Sequence, residues 1–195
     1  MGPVRLLRTL ALLALIASLA TACGSGSSSS AGAATDGSSA STSDQLEVRP
    51  VFARYSPGVQ FGPQVPKDLL DQMSHQACPM KPATVQGMLM ECDAAKTVYL
   101  MKDPLTTGGI DTAVAKQIGH GKVWFVQVTL DSATASTLEA ATASLTGTDV
   151  AYSFQGVVLT SVVVDPSSFD SGKLAIIGDY GKAQATHLAD ELAKS

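Results

Sequence analysis

This sequence is short of charge, of aromatic residues and of cysteine. Of its 195 residues, 15% are charged and 5% aromatic; there are three cysteines and one tryptophan. So little charge beside 45% apolar residues excludes a chain that is disordered throughout, and part of it must fold. Only one long apolar run exists, at the very start, which excludes a polytopic helical membrane protein. The formal charge is −4 and no Lys/Arg cluster follows the N-terminus, which argues against a nucleic-acid partner. No Cys-x-x-Cys occurs, so a catalytic thiol pair is not expected. Gly108-Gly109 and Gly119-His120-Gly121 are not phosphate loops, because no Gly-Lys-Ser/Thr follows them. What remains is room for one domain, a targeting segment and a linker.

The targeting segment is residues 1–22. Arg5 and Arg8 form a basic start, and Leu10 to Ala20 is apolar except for Ser18, too short to cross a bilayer comfortably as a permanent helix. Ala20-Thr21-Ala22-Cys23 then resembles a bacterial lipobox, in which the cysteine is diacylated and becomes the mature N-terminus. The usual box has Leu three residues before the cysteine; here that place is Ala20, and Leu19 sits one residue earlier. The reading is lipidation at Cys23, with an ordinary secretory signal cut near Ala22 as the alternative. Either way the mature protein is expected outside the cytoplasm, in the first case held to the cell membrane by its lipid.

Residues 23–44 form the linker. Gly24 to Ser43 is almost wholly Gly, Ser, Ala and Thr, with Asp36 its one charge. It has too little apolar surface to bury and reads as a flexible tether, with a root-mean-square reach of roughly 25 Å.

The folded part is residues 45–195. Its two cysteines, Cys78 and Cys92, lie in an oxidising compartment and read as a disulfide. The closed loop is about 15 residues, worth about 3 kcal/mol in the chain-entropy model. The alternative is a metal: His75 precedes Cys78 by three residues and Asp93 follows Cys92, but four ligands at standard spacing are missing. No metal and no cofactor is expected.

Along the chain, Leu46 to Arg54 alternates at its start and reads as a strand. Pro50 cannot donate to a ladder, so it is placed at a sheet edge. Pro66 to Gln76 reads as a helix with Leu69, Leu70 and Met73 on one face, Thr97 to Lys102 as a short strand, and Ile110 to Gln117 as a short helix. Lys122 to Leu130 is a strand with Trp124, Val126, Val128 and Leu130 on one side, and Phe125, Gln127 and Thr129 on the other. Asp131 or Ser132 caps a helix that Gly147 ends. Asp149 to Phe154 and Val157 to Val164 flank a Gln155-Gly156 turn. Lys173 to Ile177 is a strand, and Gly181 to Lys194 is a helix whose Ala185, Leu188, Ala189 and Leu192 face the core. The order points to an α+β fold, an antiparallel sheet with helices packed on one face.

From Trp124 to Ala193 the text resembles the head of the first extracytoplasmic domain of SecD, the accessory subunit of the Sec protein-export machinery. The resemblance rests on Val126-Gln127-Val128-Thr129-Leu130, on the strand pair from Val150 through Gln155-Gly156 to Val164, on Gly172 to Tyr180, and on the closing helix from Ala183 to Leu192. Arg49-Pro50-Val51, and Glu91-Cys92-Asp93 with Val98-Tyr99-Leu100, extend it upstream, so it covers Leu46 to Lys194. The family's Asp-Gly turn is Gln155-Gly156 here, and its Ser-Ala-Pro is Ser161-Val162-Val163. In the family, transmembrane helices behind the head carry the charged residues that couple the proton gradient to export. The resemblance therefore implies the fold and a protein-handling heritage, and the translocase activity is not expected of these 195 residues.

No catalytic constellation stands out. His75, His120 and His187 have no nucleophile or carboxylate partner by spacing, and Asp165, Asp170 and Asp179 lack the ligand spacing of a calcium loop. Trp124, Phe125 and Phe154 lie within strand patterns and read as core. The reading is a non-catalytic, membrane-tethered domain that binds unfolded exported polypeptide or Sec components, an extended chain adding to a free sheet edge. The alternative is a solute-binding or structural cell-envelope lipoprotein that reuses the fold.

Overall fold

Alternating and β-branched stretches build most of the structure, a computed structural model that describes residues 43–61, 65–119, 121, 123–165 and 168–195. The expected leader, Cys23, most of the expected tether and His120 lie outside the described residues. In chain order the elements are β1 (Glu47–Ser56), β2 (Val59–Phe61), α1 (Lys67–Ser74), β3 (Ala83–Val85), β4 (Met88–Asp93), β5 (Val98–Met101), β6 (Thr106–Thr107), β7 (Ile110–Gln117), β8 (Trp124–Leu130), α2 (Ser132–Thr142), β9 (Asp149–Phe154), β10 (Val157–Val163), β11 (Lys173–Tyr180) and α3 (Lys182–Leu192). The fold is α+β.

Five strands close on themselves. β1 pairs antiparallel with β9 on one side and β5 on the other; β5 pairs with β4, and β9 with β10. β10 then meets β4 in parallel, through Val157 opposite Cys92 and Val158 opposite Asp93. A small barrel results, with β3 continuing the sheet beyond β4. Strand alternation sends one set of residues into a shared cluster: Val51, Leu89, Tyr99, Met101, Ala151 and Val158.

The residues of opposite parity face two further cores. Met90, Cys92, Val98 and Leu100 pack with Leu69 and Met73 of α1. Val48, Val150 and Tyr152 join Val126, Val128, Leu174 and Ile176 from a second sheet of three strands, ordered β11-β8-β7, together with Leu138 of α2 and Ala185, Ala189 and Leu192 of α3. β8 divides as its sequence pattern requires: Val126, Val128 and Leu130 are buried, while Phe125, Gln127 and Thr129 on the other side are partly exposed.

Two local readings are corrected. Leu46 to Arg54 is not an edge strand. Pro50 stands opposite Val150 of β9, and its carbonyl accepts the Lys102 amide at 3.0 Å on the other side. The missing N–H is accommodated beside a register shift between Val51 and Ala53. Ile110 to Gln117 is a strand, not a helix. Its residues pair with Leu130 to Trp124, and Ala113 and Ala115 turn inward while Thr112, Val114 and Lys116 turn out. β3 and β4 also form where no strand was read.

Gly108 and Gly109 turn the chain into β7 with φ of 67° and 69°, a left-handed conformation that favours glycine. Gly109 also sits against the start of α2. Its carbonyl accepts the Asp131 amide at 2.8 Å, and a Cβ there would overlap the Thr134 side chain. Asp131 caps α2 by accepting the Thr134 amide at 2.8 Å, which holds its carboxyl below the usual carboxylate range. Gln155 and Gly156, with φ of 52° and 78°, make the tight turn between β9 and β10.

Candidate functional site

The polar residues of the barrel gather at one mouth. There a cleft of about 590 Å³ is lined by side chains including Glu47, Arg49, Leu89, Glu91, Asp103 and Ser153. Alternation explains the set. Glu47 and Arg49 share parity with Val51 on β1, Glu91 with Leu89 on β4, and Ser153 with Ala151 on β9. These are inward positions, filled with polar groups where the barrel opens.

Their bonding is uneven. Arg49 donates from Nε to Glu47 Oε2 at 2.6 Å and from Nη1 to the Lys102 carbonyl at 2.9 Å. Both members of this ion pair are mostly buried. Ser153 donates its hydroxyl to Glu91 Oε2. Glu91 is only 3% exposed, and among the described residues it forms no ion pair. Burial pushes its carboxyl above the usual range; the Ser153 hydrogen bond and the Arg49 charge pull the other way, and Glu47 adds to the rise. Deeper in the barrel, Tyr99 donates to Asp93 Oδ2 at 3.2 Å, and burial raises its phenol.

A second feature is the free sheet edge. Among the described residues β7 pairs only with β8, so eight residues present one unpaired side. Val114, exposed by 44%, and Lys116 stand on its outer face, with Lys116 bonded to Gln127 at 2.7 Å. β3 and β11 are also terminal in their sheets, but β3 is three residues long and β11 lies against β10.

The residues singled out in the sequence are dispersed. Cys78 and Cys92 are joined by a disulfide that ties the segment after α1 to β4. His75 is exposed, and its Nδ1 lies 2.6 Å from the Asp71 carbonyl. His187 is exposed on α3, while Asp165 and Asp179 are exposed beside β10 and on β11. No group of three His, Cys, Asp or Glu that could hold a metal ion occurs among the described residues. Phe154 is buried and Trp124 packs against the main core, with Lys182 over its ring at 5.5 Å; Phe125 lies on the outer sheet face. The sequence reading missed the Glu91–Ser153 pairing. Its one local signal is a glutamate between Met90 and Cys92 in a largely apolar stretch.

The model of the SecDF P1 head subdomain matches residues 85–194, more than half of the chain. The chain belongs to this family. No curated protein matches the sequence. The crystal structure of SecDF in its super-membrane-facing form superposes with a TM-score of 0.51 at 19% identity, covering 77% of this chain and 19% of that one. Another solved structure, of a membrane component SecDF that enhances protein export, gives a TM-score of 0.46 at 16% identity over 78% of this chain and 61% of that one. The chain therefore spans less than two thirds of either. The family match begins within β3, so it takes in β4 to α3 and with them Glu91, Asp103 and Ser153, while Glu47 and Arg49 lie before it. The β7 edge falls inside the head subdomain.

Proposed function

We propose that this chain is a cell-envelope lipoprotein, acylated at Cys23 and tethered through residues 23–44, whose head subdomain binds extended polypeptide on the extracytoplasmic face in connection with protein export. It performs this task by binding alone, with no catalysis. Membership of the SecDF head-subdomain family supports the link to export. The observation that carries the binding mode is the free β7 edge, eight residues long and paired on one side only. Unpaired backbone N–H and C=O groups accept any extended chain as an added strand, largely independently of its sequence. Affinity is expected to be modest, on the order of micromolar or weaker, because an unfolded partner loses conformational freedom on binding.

The test is an NMR titration of the full chain in detergent micelles with a permanently unfolded secretory precursor. Amide perturbations should concentrate along Ile110–Gln117. Saturating precursor without perturbation there would overturn the reading. Solute binding is the second reading, and the cleft at the barrel mouth is the observation in its favour.

A further inference from the structure

We infer that the cleft at the barrel mouth is a receptor for a single cationic group, an alkylammonium or a guanidinium, with Glu91 as its anchoring carboxylate. Three observations lead there. The cleft, about 590 Å³, falls within the size range of small-ligand sites. Glu91 is 97% buried yet lines it, and its one hydrogen bond among the described residues comes from Ser153, at Oε2. Among the described residues no cation pairs with it. Among the described residues the Arg49 charge acts on Glu91, and that guanidinium is bonded to Glu47 and to the Lys102 carbonyl.

The charge count gives the ligand its sign. Glu47 and Arg49 cancel as an ion pair, while Glu91 within the cleft and the exposed Asp103 at its rim have no ion-pair partner among the described residues. An anion would meet the carboxyls of Glu91 and Asp103. A neutral guest would leave the Glu91 carboxyl desolvated and without a counter-charge, the condition that raises it above the usual range. A cation supplies the missing counter-charge to a carboxyl already desolvated and held by Ser153, the setting in which a charge-assisted hydrogen bond is strong. The buried position of Glu91 favours a cation carried on a flexible stem that can reach in from the cleft. Either a free alkylamine or the side chain of a lysine or arginine in a bound polypeptide offers that chemistry.

The experiment uses the full, isotope-labelled chain in detergent micelles. Probes are n-butylammonium, a blocked pentapeptide with one central lysine, and the same peptide with norleucine in place of lysine. Expected are amide shifts at Arg49, Glu91 and Ser153 with the two cationic probes, a fall in the titration midpoint of the Glu91 carboxyl when they bind, and little response to the norleucine peptide. A lysine peptide binding as well as or better than butylammonium assigns a polypeptide source; butylammonium alone assigns a free amine. Glu91→Gln should weaken either probe at least about tenfold. Glu139→Gln, on the exposed face of α2, serves as a charge control and should leave binding unchanged. Absence of cleft shifts at tens of millimolar of either cationic probe would overturn the inference. So would equal binding of the norleucine peptide, or undiminished binding in a folded Glu91→Gln protein.

Discussion

Ser153 on β9 donates its hydroxyl to Glu91 on β4, joining two strands that are not neighbours in the sheet and 62 residues apart in sequence. The carboxyl is held in the barrel mouth, where burial favours its neutral form. A carboxyl whose folded value is raised contributes stability that is fully present below its unfolded value and is lost as pH rises through the folded one. At neutral pH, above its unfolded value, Glu91 therefore weighs against the fold. Glu91→Gln keeps an oxygen to accept the Ser153 hydroxyl and removes the charge. It should stabilise the protein at neutral pH by on the order of 1 kcal/mol, with the advantage shrinking toward acid pH. Denaturant unfolding of both proteins across pH measures this; an advantage that grows on acidification would contradict the assignment.

The Cys78–Cys92 disulfide closes the segment between α1 and β4 beside the Met90 and Leu100 core. Replacing both cysteines by alanine should lower stability by about 3 kcal/mol, the scale of a loop this short. Thiol labelling of the unreduced, denatured protein should leave both residues unmodified, and full labelling would exclude the bond.

Gly109 occupies a left-handed conformation against α2, with no room for a Cβ beside Thr134. Gly109→Ala should cost about 2 kcal/mol or more through both strain and displacement of the α2 N-terminus. Gly119, also left-handed but with open space around it, gives the comparison. Gly119→Ala should cost about 1 kcal/mol, from backbone strain alone. Equal losses by thermal denaturation would contradict the contact argument.

Much of the second half is legible in the sequence because its signals are local. Trp124 to Leu130 alternates, Asp131 caps, and Gln155-Gly156 turns, and each does so in the structure. Three features resisted, each for a physical reason. Ile110, Ala113, Val114 and Gln117 satisfy helical spacing as well as a strand, and only the pairing with β8 decides between them. Met88 to Met90 is apolar on both faces, because β4 packs into the barrel and against α1, so no alternation marks it. Pro50 reads as an edge residue until a register shift beside it is known. The cleft is the least legible of all: Glu47 and Ser153 meet by the pairing of β1 with β9, and Glu91 joins them only through the barrel's closure.

Cys23 is expected to be the acylated first residue of the mature protein. Intact-mass analysis of the membrane fraction should show a chain beginning at Cys23 with added acyl mass. A soluble product with unmodified Cys23 would contradict the lipoprotein reading.

The central claim is that an extended polypeptide adds to the β7 edge, and site-specific photocrosslinking in living cells tests it most directly. The crosslinker is placed at Val114, with His187 on the exposed face of α3 as control. The account predicts adducts at Val114 with secretory precursors that still carry their leaders, lost when export is blocked upstream, and few or none at His187. Equal yields at both positions, or no precursor adduct at Val114 while export is active, would contradict it.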